Sequence, residues 1–233
     1  MAKKGLTQTE IIAAIADMWE LLTEEQRTLV ANHLEVRRYK KNQVIYAEEE
    51  IPSHLLCLLE GKVKIYREGV GGRNQIMRVI KPVEYFAYRA YFAEERFVTG
   101  ASAFESSTVC AIPMSIITQL LETNNKLAMF FIKLLSIDLG LSDERTVNLT
   151  QKHIRGRLAE SLIFLKETYG LEEDGATISI FLSREDLANL SNMTTSNAIR
   201  TLSNFANEKL IAIDGRKITL IDEEELKKIS RIG

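Results

Sequence analysis

The side chains with the clearest chemical potential lie in a short polar run near the carboxyl end of the chain. Thr194, Thr195, Ser196, Asn197 and Arg200 supply hydroxyl, amide and guanidinium groups within seven residues. These groups form hydrogen bonds rather than acting as nucleophiles or metal ligands. Arg can donate two parallel hydrogen bonds to guanine, Asn can pair twice with adenine, and hydroxyls can reach bases or phosphates. The run is therefore typical of a surface that recognises the edges of base pairs.

The residues around this run predict two short helices joined by a tight turn. Ser183 can cap the first helix, with Asp186 at the reciprocal position, and Thr194 can cap the second. Asn192 suits the turn because Asn tolerates a left-handed backbone. The expected buried stripes are Leu187, Ala188 and Leu190 on the first helix and Ala198, Ile199, Leu202 and Phe205 on the second. Such a pair is a helix-turn-helix, whose second helix places its outer face in the DNA major groove.

A predicted hairpin follows the two helices and forms a wing. Residues 210–220 surround Asp214-Gly215, a dipeptide that favours a tight hairpin turn. Arg216 and Lys217 would lie near its tip, where DNA phosphates pass. Residues 151–233 hold 12 basic and 13 acidic side chains, so DNA affinity would depend on where a few cations are placed. The alternative is a pair of core helices with a polar outer face, which the basic wing disfavours.

The composition is that of a folded protein. Hydrophobic residues make up 45% and charged residues 27% of the 233 residues, which excludes disordered, collagen-like and disulfide-stapled chains. The formal charge of −2 gives no overall positive field. Residues 1–5 lack an apolar signal core, and no apolar stretch is long enough to span a bilayer. We therefore expect a cytoplasmic protein without membrane contact.

Residues 39–113 predict an antiparallel β-barrel or sandwich. Short runs rich in β-branched residues occur at 44–46, 55–59, 63–66, 75–80 and 108–112. Gly61 suits a tight turn with positive φ, and Gly69 to Gly72 mark another turn. Residues 7–36 before this zone predict helix, with a capping box between Thr23 and Gln26.

The segment from Pro113 to about Thr168 is again helical in pattern. Pro113 suits a first helical turn, and Asn124 and Asn125 should separate a short helix from a long one. The long helix carries a broad apolar stripe: Leu127, Phe130, Phe131, Leu134, Leu135 and Leu141. A stripe this wide exceeds one contact, so we expect it to pack on the β domain and on a second copy of itself. An ordinary core helix is the alternative.

The chain as a whole resembles the bacterial transcription factors of the cyclic-AMP receptor protein and fumarate–nitrate regulator (Crp/Fnr) superfamily. The resemblance covers about Leu22 to Thr219. It depends on the order of Tyr39–Glu48, Leu58–Tyr66, Ser106–Pro113 and Arg155–Ala159, followed by the helix-turn-helix and wing. It implies an α+β fold with an N-terminal antiparallel β-roll of the cyclic-nucleotide-binding type (a double-stranded β-helix), a long dimerisation helix and a C-terminal winged helix-turn-helix. The implied domains are a sensor at 1–123, the dimerisation helix at 124–151 and a DNA-binding domain at 152–233.

The resemblance also implies partners. A homodimer would bind a pseudo-palindromic operator in double-stranded DNA, with phosphates or bases contacted by Ser183, Thr194, Thr195, Ser196, Asn197, Arg200, Arg216 and Lys217. RNA polymerase is a candidate partner, although the patches that contact polymerase have no signature in composition.

The effector site departs from the family pattern. Members that bind cyclic AMP carry a Gly-Glu pair for the ribose, and here Ala87-Tyr88 replace it. They also carry an Arg and a small hydroxyl residue for the phosphate, where this chain has Phe97-Val98. Phe and Val leave a buried phosphate unpaired, so we expect no cyclic-AMP binding at ordinary concentrations.

A different effector would use a pocket predicted from the residues near these positions. Its expected lining is Phe86, Tyr88, Arg89, Tyr91, Phe97, Thr99 and Phe131. Arg89 is the cation that could bind an anionic effector, and an exposed Arg in a salt bridge is its alternative interpretation. We predict no cofactor or metal, and the effector stays unassigned.

Few residues in the sequence support oxygen sensing, redox chemistry or catalysis. Residues 1–35 lack the cysteine cluster of oxygen-sensing members, and the three histidines, His33, His54 and His153, are each expected at the surface or at a hinge. Cys57 and Cys110 could form a redox pair if the strands bring them together, although two buried thiols are favoured. No Gly-x-Ser-x-Gly or His-x-His motif supports an enzyme. The rival function is a β-roll module that regulates a protein partner without DNA.

Overall fold

The computed structural model describes residues 7–69, 72 and 74–232. The described residues form two compact units. One holds the residues up to Arg67 together with Met77–Leu139, and the other holds Glu68–Ile76 and the residues from Gly140 onward. The predicted signal-free segment at 1–5 and two residues of the glycine turn, 70 and 71, lie outside the described residues.

Three short helices begin the first unit: α1 (Gln8–Ala14), α2 (Ala16–Trp19) and α3 (Glu24–His33). The predicted capping box is confirmed, because the Thr23 side chain accepts from the Gln26 backbone while Gln26 reaches back to Thr23. The helix prediction extended too far, since residues 35–39 form strand β1 (Glu35–Tyr39). The reason is non-local: this segment pairs along its whole length with a strand more than 60 residues later.

Two four-stranded antiparallel sheets follow. The remaining strands are β2 (Val44–Tyr46), β3 (His54–Glu60), β4 (Val63–Glu68), β5 (Asn74–Ile80), β6 (Tyr85–Phe86), β7 (Gly100–Ala103) and β8 (Ser107–Pro113). A short helix, α4 (Arg89–Phe92), lies between β6 and β7. The sheet orders are β1-β8-β3-β6 and β2-β7-β4-β5. All five predicted strands are present, and Gly61 has the expected positive φ of 92°.

The two faces of the first sheet support two separate apolar cores. Along β3, Leu56 and Leu58 face a cluster between the sheets, whereas Leu55, Cys57 and Leu59 face a cluster under the helices. This alternation follows from the period of two in a strand. Because both faces of β3 are covered, its sequence is an uninterrupted apolar run.

Two helices complete the unit, α5 (Met114–Leu121) and α6 (Asn125–Gln151), and α6 continues beyond it. Pro113 ends β8 and precedes α5, one position earlier than predicted. The predicted break at the asparagines is confirmed. Asn124 is buried, its Oδ1 accepts from the Leu127 backbone at 3.0 Å, and its Nδ2 donates to the Leu21 carbonyl at 2.9 Å.

The residues of the apolar stripe of α6 are not buried in the way that the sequence predicts. Leu127 and Phe131 are buried in the core of their own chain, and Phe130, Leu134 and Leu135 pack against that core. Leu127 and Phe131 are therefore wrong as contacts with a second copy, because no surface is left for a partner. Leu141 is exposed, as are five apolar residues that the stripe omitted: Met129, Ile132, Ile137, Leu139 and Val147.

After the end of α6, the described residues of the second unit form four helices and a hairpin. They are α7 (Ile154–Tyr169), α8 (Arg184–Leu190), α9 (Thr195–Asn207), β9 (Ile211–Asp214), β10 (Lys217–Leu220) and α10 (Glu223–Ile232). Helix α10 was not predicted, and it starts in the acidic cluster at 222–225. Carboxylates stabilise a helix N-terminus, and here Asp222 Oδ1 accepts from the Glu225 backbone at 2.9 Å. Within the described residues, no helix has the length and apolar character needed to cross a bilayer.

Candidate nucleic-acid interface

The helix-turn-helix is held by local hydrogen bonds that the sequence predicts. Ser183 Oγ accepts from the Asp186 backbone at 3.0 Å and donates to Asp186 Oδ2 at 2.7 Å, so both residues act at the start of α8. Asn192 adopts φ 49° in the turn. Thr194 Oγ1 then accepts from the Asn197 backbone at 3.2 Å and starts α9. These short-range contacts fix where the second helix begins.

The buried face of α9 differs from the prediction at one position. Ala198, Leu202 and Phe205 are buried as expected, and Thr201 joins them. Ile199 was predicted in this stripe and is 48% exposed, so that prediction is wrong. Each helical residue turns by about 100°, so a stripe centred on positions 198, 202 and 205 rotates position 199 away from the core.

The outer face of α9 is polar and carries no acidic residue. Its exposed residues are Thr195, Ser196, Ile199, Arg200, Ser203, Asn204 and Asn207. Asn197 is half-buried, and its Oδ1 accepts from Arg200 Nη2 at 2.9 Å. Asn197 thus orients the guanidinium of Arg200 along the helix surface. A guanidinium presented in this way can bind two acceptors of one base edge.

The wing has the predicted hairpin. Asp214 pairs with Lys217 across the turn, Gly215 has φ 55°, and Arg216 and Lys217 are exposed at the tip. Arg184, at the start of α8, donates from Nη2 to the Gly215 carbonyl at 2.8 Å. This bond joins the wing tip to the helix-turn-helix. This role of Arg184 was not predicted, because its partner lies 31 residues away in the chain.

Among the described residues of this unit, five acidic side chains form ion pairs with its own cations: Glu160, Glu208, Glu223, Glu224 and Glu225. Glu223 Oε1 lies 2.9 Å from the amine groups of both Lys166 and Lys227, and these hydrogen bonds lower the pKa of Glu223. Glu208 forms a paired hydrogen bond with Arg155, whose guanidinium lies over the Phe205 ring at 4.8 Å. The nearly balanced composition therefore coexists with a surface of α9 and the wing that keeps its own cations available.

The predicted effector pocket does not form as one site. Phe86 and Phe97 belong to the core between the sheets, whereas Tyr88, Tyr91 and Phe131 belong to the core under the helices. Arg89 is exposed, and its Nη1 lies 3.6 Å from Glu95 Oε2. This contact agrees with the alternative interpretation of Arg89 as an exposed residue in a salt bridge. The seven residues were predicted as one lining because they are close in sequence or in the family pattern. Strand β6 ends at Phe86, and Ala87 with φ 71° changes the chain direction before Tyr88, so the two aromatic residues enter different cores.

The space between the two sheets is occupied by aromatic side chains. The rings of Tyr46 and Phe97 stack at 4.0 Å between centroids and 20° between planes, and Phe86 lies 6.5 Å from Tyr46. Burial raises the pKa of Tyr46 to about 12, and its hydroxyl is hydrogen-bonded with Thr99. The cluster between the sheets is apolar, although the charges of Arg78 and Arg89 act on the Tyr46 hydroxyl.

Tyr88, which the family resemblance predicts in place of a ribose-binding residue, contacts α6. Its hydroxyl donates to Asp138 Oδ2 at 3.2 Å, and Arg78 of β5 donates to the same oxygen at 2.5 Å. Burial and the Asp138 carboxylate raise the pKa of Tyr88, so the phenol stays protonated and donates. The Arg78–Asp138–Tyr88 cluster therefore connects the β domain with the long helix.

Cys57 and Cys110 lie directly opposite each other on β3 and β8, and both are free thiols. The strands do bring them together, as the redox hypothesis requires. Burial raises the pKa of both thiols, to about 12 for Cys110, so the reactive thiolate is disfavoured. Across the described part of the chain, no three His, Cys, Asp or Glu side chains form a group that could hold a metal ion.

Comparison with known proteins identifies the same two parts. Residues 36–124 match the cyclic nucleotide-binding domain family, and residues 156–229 match the Crp-like helix-turn-helix domain family. The CRP-like cAMP-activated global transcriptional regulator of Mycobacterium tuberculosis is 21% identical over 194 residues, which is 83% of this chain and 87% of that protein. Electron transport regulator A of Shewanella oneidensis is 26% identical over 212 residues, covering 87% and 84%.

Solved structures share the fold. A Crp/Fnr-family regulator from Eubacterium rectale superposes with a TM-score of 0.79 at 18% identity, covering 92% of this chain and 97% of that one. FixK2 from Bradyrhizobium japonicum gives a TM-score of 0.75 at 20% identity, covering 84% and 96%. The β-roll, the long helix and the winged helix-turn-helix occur together and in this order along the chain. The chain therefore belongs to the Crp/Fnr family of DNA-binding transcription regulators.

Proposed function

We propose that this chain acts as a homodimer that binds a pseudo-palindromic operator through the outer faces of its two α9 helices. The observation that carries the proposal is the capped helix α9, which presents Ser196 and Arg200 to solvent without any acidic side chain. Arg216 and Lys217 at the wing would neutralise phosphates beside the groove. Residues 1–123 act as the sensor domain, 124–151 as the dimerisation helix and 152–233 as the DNA-binding domain.

The test of this function is a titration of labelled promoter fragments and unrelated DNA at several salt concentrations. A regulator of this kind should prefer specific fragments, and its affinity should fall steeply with salt because bound phosphates release counterions. The rival function, a module that acts on a protein partner alone, predicts no binding to any fragment at any salt concentration.

The dimer would form along the exposed apolar face of α6. Met129, Ile132, Ser136 and Leu139 are spaced by three, four and three residues, which is the a/d pattern of a coiled coil. Gly140 lies beside this seam, and an added Cβ there would meet no described atom within 4 Å. A glycine inside a helix costs about 1 kcal/mol relative to Ala, and no packing within the chain explains it. Close approach of a second helix would explain the glycine.

We further propose that cyclic AMP is not the effector. Phe97, which we assign to the phosphate position from the family resemblance, stacks on Tyr46 between the sheets. Tyr88, which we assign to the ribose position, donates a hydrogen bond to Asp138. Calorimetric titration with cyclic AMP up to about 100 μM should give no binding heat, since a buried phosphate without a partner is strongly disfavoured. The M. tuberculosis relative, named as cAMP-activated, is the positive control. A micromolar dissociation constant would contradict this assignment.

A signal from the β domain would reach the dimer through the Arg78–Asp138–Tyr88 cluster. These contacts place a carboxylate of α6 against both β5 and the segment before α4. A change in either element would shift α6 and thereby the spacing of the two α9 helices. Such coupling requires two arrangements of different affinity for DNA.

Lys217→Ala should weaken binding to all DNA sequences alike. Lys217 is exposed at the wing tip, and its amine lies 5.9 Å from the centroid of the Phe181 ring. Among the described ion pairs, none joins Lys217 to a carboxylate. Losing a phosphate contact should reduce the slope of log affinity against log salt by about one per half-site. A loss confined to one operator sequence would contradict the phosphate role of Lys217.

A further inference from the structure

The outer face of α9 contains a single apolar side chain among its seven exposed residues. Ile199 is surrounded on the helix surface by Ser196 one turn earlier, Ser203 one turn later and Arg200 beside it. Isolated exposed hydrophobic residues are common on proteins. Ile199 differs because it lies in the middle of the group of hydrogen-bonding side chains that a recognition helix presents to base edges.

Packing within the chain does not explain an isoleucine at this position. The buried stripe of α9 is completed by Thr201, a polar residue that is 8% exposed, while Ile199 points outward and is 48% exposed. A β-branched side chain also lowers helix propensity slightly compared with Ala or Gln. An apolar contact outside the chain would offset both disadvantages.

We propose that Ile199 contacts the C5-methyl group of a thymine in each half-site and so specifies thymine there. This inference rests on the proposed operator binding. The thymine methyl is the apolar group that a base pair displays in the major groove, and apolar side chains recognise it. The neighbouring groups can recognise polar edges, since Arg200 donates two hydrogen bonds and Ser196 supplies a hydroxyl. Ile199 therefore adds an apolar contact that favours thymine over cytosine, and among the exposed residues of α9 only the single methyl group of Thr195 offers a similar surface.

The test uses the full chain and a DNA site selected from a random duplex library with the wild-type protein. Thymines of the selected site are then replaced by deoxyuridine, one position at a time in both half-sites, which removes only the C5-methyl group. Affinities are measured for the wild type, for Ile199→Ala and for Ile199→Val. Ile221→Ala is the matched control, because Ile221 is equally apolar and 56% exposed but lies between β10 and α10.

The wild type should lose about fourfold in affinity per half-site at one thymine position, as expected for one buried methyl group. Ile199→Ala should bind the thymine and deoxyuridine duplexes equally at that position, and Ile199→Val should show an intermediate ratio. Ile221→Ala should keep the wild-type ratio. Coincident thermal melts would show that the variants are folded, as expected for exposed positions.

The inference is overturned if a site is selected but no thymine is sensitive to deoxyuridine, or if Ile199→Ala keeps the full discrimination. A library selection that enriches no sequence has a different meaning. It would overturn the proposed operator binding itself, and the role of Ile199 with it.

Discussion

Leu139→Asp should make the chain monomeric and reduce its affinity for a full pseudo-palindromic site by about 100-fold or more. Leu139 is 64% exposed on the a/d face of α6, where a twofold partner would bury it against its own copy. A carboxylate in that contact is desolvated beside a like charge, which strongly disfavours the dimer. A linked pair of binding domains exceeds the affinity of one domain by about 10²- to 10⁴-fold, and the monomer loses that gain.

Leu141→Asp is the matched control for the dimer seam. Leu141 lies on the same helix, is 57% exposed and was assigned to the interface from the sequence, but its direction on the helix is nearly opposite to the Met129–Ile132–Leu139 face. Sedimentation analysis and DNA titration should show a dimer with near wild-type affinity. If Leu141→Asp dissociates the chain and Leu139→Asp does not, the dimer contact lies on the side of α6 that carries Leu141, and the proposed seam is wrong.

Arg200→Ala should have the second largest effect. Losing a bidentate contact to guanine costs about 1–3 kcal/mol, or about 5- to 150-fold in affinity per half-site, and relaxes the preference at that base pair. Arg200 is exposed, so the free energy of unfolding should change by less than about 0.5 kcal/mol. Competition against operators altered at single base pairs measures the change in preference.

Asn197→Ala and the double variant separate the role of Asn197 from that of Arg200. Asn197 accepts a hydrogen bond from Arg200, so in the Arg200→Ala background the Asn197→Ala change should have little further effect. Full additivity would indicate that Asn197 contacts a base independently. Unchanged affinity and base preference in Arg200→Ala would remove Arg200 from the reading surface.

The local features of the DNA-binding unit could be predicted from sequence because their causes are local. Ser183 and Thr194 cap their helices through partners three residues away, and Asn192 adopts the left-handed turn that its type tolerates. The Asp214-Gly215 turn fixes the wing in the same way. In each case the residue that determines the local conformation lies within a few positions of the backbone groups that it affects.

Other features depend on contacts between distant segments. The face of α9 that meets the core decides that Thr201 is buried and Ile199 is exposed. Because neighbouring helix positions point about 100° apart, a small rotation of the helix would change which of these residues is buried. The same holds for α6, where the core under the first sheet takes Leu127 and Phe131 and leaves Met129, Ile132 and Leu139 outside. Strand β1 exists because β8 pairs with it.

The sequence by itself therefore determined where most helices, turns and strands form, and which residue types stand on α9. Only the tertiary structure decided that the predicted effector lining is split between two cores, that Tyr88 is engaged by Asp138, and that Arg184 supports the wing. Hydrogen bonds and turn preferences act over a few residues, whereas burial depends on which surfaces meet after the whole chain has folded.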